Sequence, residues 1–282
     1  MADLALAVDI GGTKLAAGAV DTEGRLHWAD RTPTPASPDP EVVWSALADL
    51  VGRCPLAVVV CGAGCGGPMV RGGERVSPLN LAAWRNFPLR ARLAELSGVA
   101  AHVDNDAKAL ALGEGWCGAA TGERNYMSMV VSTGVGAGIV VDGRLLDGAA
   151  GNAGHIGHVV VRPDGRLCRC GGRGCLEAEA SGPAIASVTG VRPEEADRAT
   201  VERAGRLVGQ AVASVANLLD LRLATVAGSV ALGFGAPFFA AAQDEIGRRA
   251  RLDFSRGARI VPSALGRDAP LVGAAAVGWR GR

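Results

Sequence analysis

Residues 151–177, GNAGHIGHVVVRPDGRLCRCGGRGCLE, hold two of the chain's four histidines and three of its seven cysteines. His158, Cys168, Cys170 and Cys175 are spaced H-x9-C-x-C-x4-C. Three thiolates and one imidazole are a ligand set for Zn2+, and four protein ligands with no open position make a structural site. Gly171, Gly172 and Gly174 allow a loop tight enough to bring three thiolates onto one ion. The plainer alternative is three reduced cysteines in a metal-free loop. The other cysteines, Cys54, Cys61, Cys65 and Cys117, are expected to be small buried hydrophobes.

Two glycine-rich stretches offer a second chemistry. Asp9-Ile10-Gly11-Gly12-Thr13-Lys14 lies between two strand-like runs, with no helix directly after it. It is therefore neither a P-loop nor a dinucleotide-binding fingerprint, both of which open a helix. Glycines at a hairpin bend leave N–H groups facing outward toward phosphate oxygens. Thr13 adds a hydroxyl, Lys14 a positive charge, and Asp9 a carboxylate able to hold Mg2+ through water. An ordinary glycine-rich hairpin would read the same way. Ser132-Thr133-Gly134-Val135-Gly136-Ala137-Gly138 is a second loop of this kind, which strengthens the phosphate reading of both.

A third group is Asp104-Asn105-Asp106, where a strand runs into a helix. Asp and Asn are the best helix caps, which suffices to explain them there. A carboxylate at the end of a strand could also take a proton from an attacking hydroxyl, since phosphoryl transfer depends more on positioning and charge neutralisation than on a strong base. Glu177, two residues past the last cysteine, reads equally as a first-turn helix acid.

These residues need elements to position them. LALAVDI and KLAAGAVD read as strands joined at GGT, followed by a turn at DTEGRL. MVVSTGVGAGIVVDGRLL repeats that layout later in the chain, which suggests a duplicated unit with two facing domains. Asp39-Pro40-Glu41 should start a helix through VVWSALADLVGR, LAVVVCGAG is a buried strand, and LRARLAELSG is a helix ending at Gly98. AAHVDND is a strand entering the helix AKALALGEGW. VRPEEADRATVERAGRLVGQAVASVANLLD is one or two amphipathic helices, and strand, helix, strand and a final helix follow. Alternating strands and helices make an α/β protein. RTPTPASPDP at 31–40 is the one linker-like segment.

Composition excludes other classes. Lys and Arg total 29 against 28 Asp and Glu, a net charge of +1, so nothing favours nucleic acid or an anionic membrane as partner. No apolar run reaches the roughly 18 residues of a membrane span, and the N-terminus lacks the features of a signal peptide. An odd number of cysteines in a chain of this size fits a reducing cytoplasm.

DIGGTK, VDNDAKALALGEG, STGVGAGIVVDGRLL and GHIGHVVVRPDGRLCRCGGRGCLE, in this order and spread over essentially the whole chain, resemble the ROK family (repressors, open reading frames and sugar kinases). The resemblance implies a two-domain, actin/hexokinase-like (ribonuclease H-like) ATPase fold with nucleotide in an interdomain cleft. It divides the chain into a small N-terminal α/β domain of residues 1–106 plus 267–282, and a large C-terminal domain of 107–266 carrying the zinc loop; the final helix from about Pro270 returns to the first domain. The implied activity is ATP- and Mg2+-dependent phosphorylation of the primary (6-) hydroxyl of a hexose or hexose derivative, with a structural Zn2+ and a homodimeric or homotetrameric assembly.

Carried over residue by residue, Asp106 is the catalytic base, with Asp104 as the alternative. Asn105, Glu177, His155 and His158 hold the sugar, His158 also binding zinc, and Gly64 and Asn80 lie in the first sugar-facing loops. Asp9, Gly11, Gly12, Thr13, Lys14, Thr133, Gly134 and Gly136 serve the phosphates. Gly228 and Ser229 belong to a loop under the nucleotide base, in which Ala227 replaces the family's first glycine.

A further departure bears on the substrate. Glucose-phosphorylating members usually carry Glu where this chain has His155 in Gly154-His155-Ile156-Gly157-His158. Glu only accepts hydrogen bonds, whereas neutral His offers one donor and one acceptor. Members acting on N-acetylmannosamine look like this chain, so that sugar or a related amino sugar is the favoured substrate. A glucokinase in which His155 only packs remains open, as does a kinase for kanosamine or a carbocyclic sugar mimic. Family repressors carry a helix-turn-helix before the kinase core, and a first strand near residue 4 leaves no room for one. A sugar-binding sensor without turnover is the non-enzyme alternative, which the Asn105-Asp106 pair and both glycine loops oppose.

Overall fold

The computed structural model describes residues 3–282. The chain divides into two compact units: residues up to Gly118 with Asp147–Ala153 and Leu265–Arg282, and Ala119–Leu146 with Gly154–Ala264. The first unit thus extends through a whole helix beyond Asp106.

That unit begins with β1 (Leu4–Ile10), β2 (Lys14–Asp21) and β3 (Leu26–Pro33), an antiparallel run. The segment expected to be linker begins inside β3. Exposed residues alternate with half-buried ones in this edge strand, and half-buried Asp30 and Thr32 are polar, so its apolar signal is weak, but pairing with β2 continues to Pro33. After α1 (Pro40–Gly52), β4 (Val60–Cys65) pairs parallel to β1 and, following α2 (Leu89–Ser97), β5 (Ala101–Asn105) pairs parallel to β4. The Asp39 side chain accepts the Glu41 N–H at 2.9 Å, the expected cap of α1. β5 runs directly into α3 (Asp106–Cys117).

The second unit opens with β6 (Tyr126–Val131), β7 (Val135–Val141) and the short β8 (Arg144–Leu145), again antiparallel. Two short helices, α4 (Leu176–Ala180) and α5 (Gly182–Thr189), follow the cysteine loop. The amphipathic stretch forms one long helix, α6 (Arg198–Leu219), capped by Asp197 accepting the Thr200 N–H at 2.8 Å. Then come β9 (Leu223–Ala227), α7 (Ser229–Phe234), α8 (Ala236–Arg249) and β10 (Arg259–Pro262). Fully buried Phe238 sits in this unit's core, in which α6 packs against α8. The last helix, α9 (Ala269–Gly281), packs on β1, β4 and α3 of the first unit.

The sheets have strand orders β3-β2-β1-β4-β5 and β10-β9-β6-β7-β8. Read from the third antiparallel strand, the second is β8-β7-β6-β9-β10, with β9 and β10 parallel to β6. The two units share one topology, the ribonuclease H-like order, as their repeated hairpins suggest. Among the described residues, no helix is long and apolar enough to cross a membrane.

Candidate active site

In the first unit, the parallel registers place Asp9 beside Gly64 and Gly64 beside Asp104, across β1, β4 and β5. Asn105 caps α3: its Oδ1 accepts the Ala107 N–H at 3.0 Å, and Asp106 Oδ1 accepts the same N–H at 2.8 Å. Asp106 is exposed at the head of the helix. Asp104 is committed elsewhere, its Oδ1 lying 3.2 Å from Lys108 Nζ and accepting the Asn105 N–H at 2.8 Å. The capping reading and the functional reading therefore meet in one strand-to-helix junction.

Gly64 separates two carboxylates. A Cβ on it would lie 3.6 Å from the Asp106 Cα and 3.9 Å from Asp9 Oδ1. Burial pushes the Asp9 carboxyl up to about 7; the Asp106 charge adds to the rise and Lys14 opposes it. The bend after Asp9 is closed by the Gly11 N–H donating to Lys14 O at 3.0 Å, and is braced by Thr34, whose hydroxyl donates to Gly11 O at 2.7 Å and whose N–H donates to Thr13 O at 3.1 Å. Gly12, Thr13 and Lys14 are exposed at this tip. Any side chain on Gly12 would meet the Asn80 backbone, a Cβ standing 2.5 Å from its carbonyl oxygen. A residue expected to serve phosphate and one expected to face sugar are thus neighbours.

The second unit brings its own candidates together. The Ser132 N–H donates to Gly134 O at 2.9 Å, closing the turn between β6 and β7 with Thr133 exposed at its tip. Gly136 stands within β7, opposite Val130. Ser132 Oγ lies 2.9 Å from Ser229 Oγ, so the loop 132–134 adjoins the head of α7. Gly228, which precedes that helix, has φ +102°, and a Cβ there would strike the Val131 carbonyl, so only glycine fits. Glu177 is the first-turn acid of α4, and its Oε2 accepts the Val135 N–H at 2.9 Å. It thereby reaches the residue that follows the glycine turn.

The segment carrying both histidines is laid onto β7. The Ala137 N–H donates to Gly154 O at 2.8 Å, and side chains at Gly154 or Gly157 would run into the Ala137 or Val135 carbonyl. Ile156 is buried by this docking and His155 is exposed. The two imidazoles lie 6.0 Å apart between ring centroids.

His158, Cys168, Cys170 and Cys175 converge, with all four ligand atoms within 4.8 Å of one another. His158 Nδ1 is 3.7 Å from Cys168 Sγ, and Cys170 Sγ is 3.7 Å from Cys175 Sγ. Two sulfurs about 2.3 Å from a tetrahedral Zn2+ stand about 3.8 Å apart, so the donor set and its spacing fit that ion. Two features of the structure carried no signal in the sequence. Buried Glu179 accepts the Arg166 N–H at 2.9 Å and pairs with the Arg203 guanidinium, fastening the cysteine loop to α6. In the first unit, Lys108 is buried in α3. The expectation for the remaining cysteines needs correction: Cys61 and Cys65 are buried in β4, but Cys54 is half-buried and Cys117, in the last turn of α3, is exposed. Their types alone did not fix which way they face.

Residues 5–279 match the model of the ROK family. An N-acetylmannosamine kinase of Citrobacter koseri is 39% identical over 250 residues, covering 82% of this chain and 84% of its own. Among solved structures, a ROK family glucokinase from Streptomyces griseus in complex with glucose and AMPPNP superposes with a TM-score of 0.86 at 30% identity, covering 98% of this chain and 99% of its own. A ROK hexokinase from Thermus thermophilus gives the same TM-score at 32% identity, covering 99% and 98%. The matched residues span the glycine turns, the strand-to-helix carboxylates and the Cys3His loop, and the chain belongs to the ROK family.

Proposed function

We propose that this protein is an ATP-dependent sugar kinase that phosphorylates the primary (6-) hydroxyl of N-acetylmannosamine. The observation that carries the choice of sugar is His155, exposed on the glycine-anchored GHIGH segment, in a chain 39% identical to an N-acetylmannosamine kinase. Asp106 takes the proton as the 6-oxygen bonds to the γ-phosphorus, and the bond to the β-phosphate oxygen breaks to release ADP. Asn105, Gly64, Asn80, His155, His158 and Glu177 are the residues proposed to hold the sugar. The turn from Gly11 to Lys14 and the loop with Thr133, Gly134 and Gly136 serve the phosphates, and Gly228 and Ser229 the nucleoside.

Mg2+ neutralises phosphate charge when bound, and Asp9 is the residue that would hold it through water. His158, Cys168, Cys170 and Cys175 would hold Zn2+, which stiffens their loop. Seven free thiols suit a reducing cytoplasm, and an assembly of two or four copies completes the reading.

A second reading, glucokinase, is favoured by the likeness to the glucose-bound Streptomyces griseus structure. ADP release over glucose, mannose, N-acetylmannosamine, N-acetylglucosamine, kanosamine and a cyclitol decides between them, with Asp106→Asn as the blank. The expected result is the highest kcat/KM for N-acetylmannosamine, with His155→Glu shifting preference toward glucose by roughly 10- to 100-fold, the value of one buried hydrogen-bond partner. Preference for glucose in the unaltered protein selects the second reading, and turnover of no sugar removes the kinase.

A further inference from the structure

Lys108 lies in the first turn of α3 and is 2% exposed, although lysine is almost never fully buried unless its ammonium is paired. Its ammonium has three acceptors within reach: Asp104 Oδ1 at 3.2 Å, Asp147 Oδ1 at 2.8 Å and the carbonyl oxygen of Gly151 at 3.2 Å. Three donors therefore meet three acceptors, the condition under which a buried ammonium is tolerated. Two of the acceptors belong to Asp147–Ala153, a short strap that leaves the second unit's chain after Leu146, docks on the first unit, and hands over to Gly154 and His155. The strap is closed on itself by the Ala153 N–H donating to Asp147 O at 2.9 Å. Asn152 docks it further, its amide oxygen accepting the Met69 N–H and its amide nitrogen donating to the Met69 carbonyl, both at 3.3 Å. Arg71 donates to Gly148 O at 3.0 Å. Burial works to raise the Asp147 carboxyl, but Lys108, with Arg280 and Arg71 farther off, holds it below the usual carboxylate range.

We infer that Lys108 is a positioning residue: one ammonium fixes both the stem of the proposed base, through Asp104, and the stem of the proposed sugar selector, through the strap that ends two residues before His155. Lys108 touches neither reacting group. It sets where the peptide bearing His155 starts, and so governs how well the sugar is held, while the glycine turns that serve the phosphates do not depend on it. The claim about sugar binding rests on the kinase reading above; the claim that Lys108 clamps the strap does not.

Asp147→Ala tests both, because the Asp147 side chain is 43% exposed and removing it leaves the core intact. KM for the sugar and for ATP would be measured alongside hydrogen exchange of peptides spanning 147–158. The inference expects the sugar KM to rise about tenfold, with ATP KM within about twofold, as for loss of one charge-assisted hydrogen bond acting on one ligand. Exchange across the strap should quicken about tenfold. Asp147→Asn, which keeps an oxygen for Lys108 to donate to, should recover most of both. Lys108→Met should exceed Asp147→Ala in both readouts. Unchanged strap exchange in Asp147→Ala and Lys108→Met overturns the clamp whatever the protein phosphorylates. Faster exchange with sugar and ATP KM rising together overturns the positioning role. If the unaltered protein turns over no sugar while strap exchange still responds, the kinase reading fails and the clamp stands.

Discussion

Two carboxylates flank Gly64, and their surroundings part them. Asp106 is exposed on the head of α3, whereas burial, helped by the Asp106 charge, pushes Asp9 up to about 7. Replacing the proposed base by its amide in Asp106→Asn should lower kcat by about 10²–10⁴, the usual worth of a positioned proton acceptor, with sugar affinity within a few-fold by calorimetry. Asp9 makes a prediction with a sign. A carboxyl whose value rises from 3.8 to about 7 on folding holds its proton in the ligand-free fold over that window. Its contribution to stability is complete below 3.8 and is lost as pH rises through about 7. In the proposed reading Asp9 holds magnesium-ATP in its ionised form, so binding at pH 6.5 should release a proton, and affinity should weaken toward tenfold per pH unit below about 7. Calorimetry in two buffers of different ionisation enthalpy measures the release, and Asp9→Asn should abolish it. The sequence singles these residues out because their types and their place at strand ends suit phosphoryl chemistry. It passes over Lys108: inside AKALALGEG that lysine reads as a solvated helix residue, and its burial follows from a strap that arrives some 40 residues later, a distance plain from Asp147 itself.

At the scale of elements, the Cys3His loop shows what a local pattern can and cannot declare. Ligand types, spacing and glycines lie within one short stretch, so the cluster could be read directly. Its buttress could not, because Glu179 finds Arg203 a helix away, and either residue alone looks like an ordinary surface charge. Without a cation the donors conflict: burial pushes the Cys175 thiol up to about 12, while the Gly172 N–H pulls the more exposed Cys170 below its ordinary value. A bound Zn2+ resolves this by taking thiolates as ligands. The protein as purified should carry about one zinc per chain, the stoichiometry of a four-ligand structural site, measurable by mass spectrometry under native conditions. Chelation should speed hydrogen exchange over residues 154–177 and raise the sugar KM before the ATP KM, since His155 and Glu177 border the loop and Gly11–Lys14 belong to the other unit. Cys170→Ser should lose zinc at lower chelator concentration. The segment 31–40 is the contrasting case, where Pro and polar residues signalled a linker although β2 had already committed Arg31–Pro33 to the sheet.

At the scale of the molecule, the repeated hairpins did announce a duplicated topology, because a glycine turn between two strands leaves the same local mark each time. What they could not announce is how the first unit is completed. α9 lies far along the chain from β1, β4 and α3, yet it packs on all three. Its sequence APLVGAAAVGWRG is built for that approach. A Cβ on Gly278 would lie 3.0 Å from the Gly62 nitrogen, and one on Gly113 would lie 3.1 Å from the Gly273 Cα. Such contact has no periodicity to read, since its signature is the lack of side chains on both partners. Gly278→Val should therefore destabilise the protein by about 2–3 kcal/mol, the range for overpacking a tight core, read from the denaturant midpoint at unchanged slope. The control is Gly247→Ala: that glycine sits on the exposed face of α8, with open space where a Cβ would go. It should stabilise by about 1 kcal/mol, the helix propensity difference. Equal and small effects at both positions would mean that α9 packs loosely. Opposite signs would mean that α9 packs tightly on the first unit, whose strands carry Asp9 and Asp106's stem, so that carboxylates early in the sequence are held in register by glycines far along it.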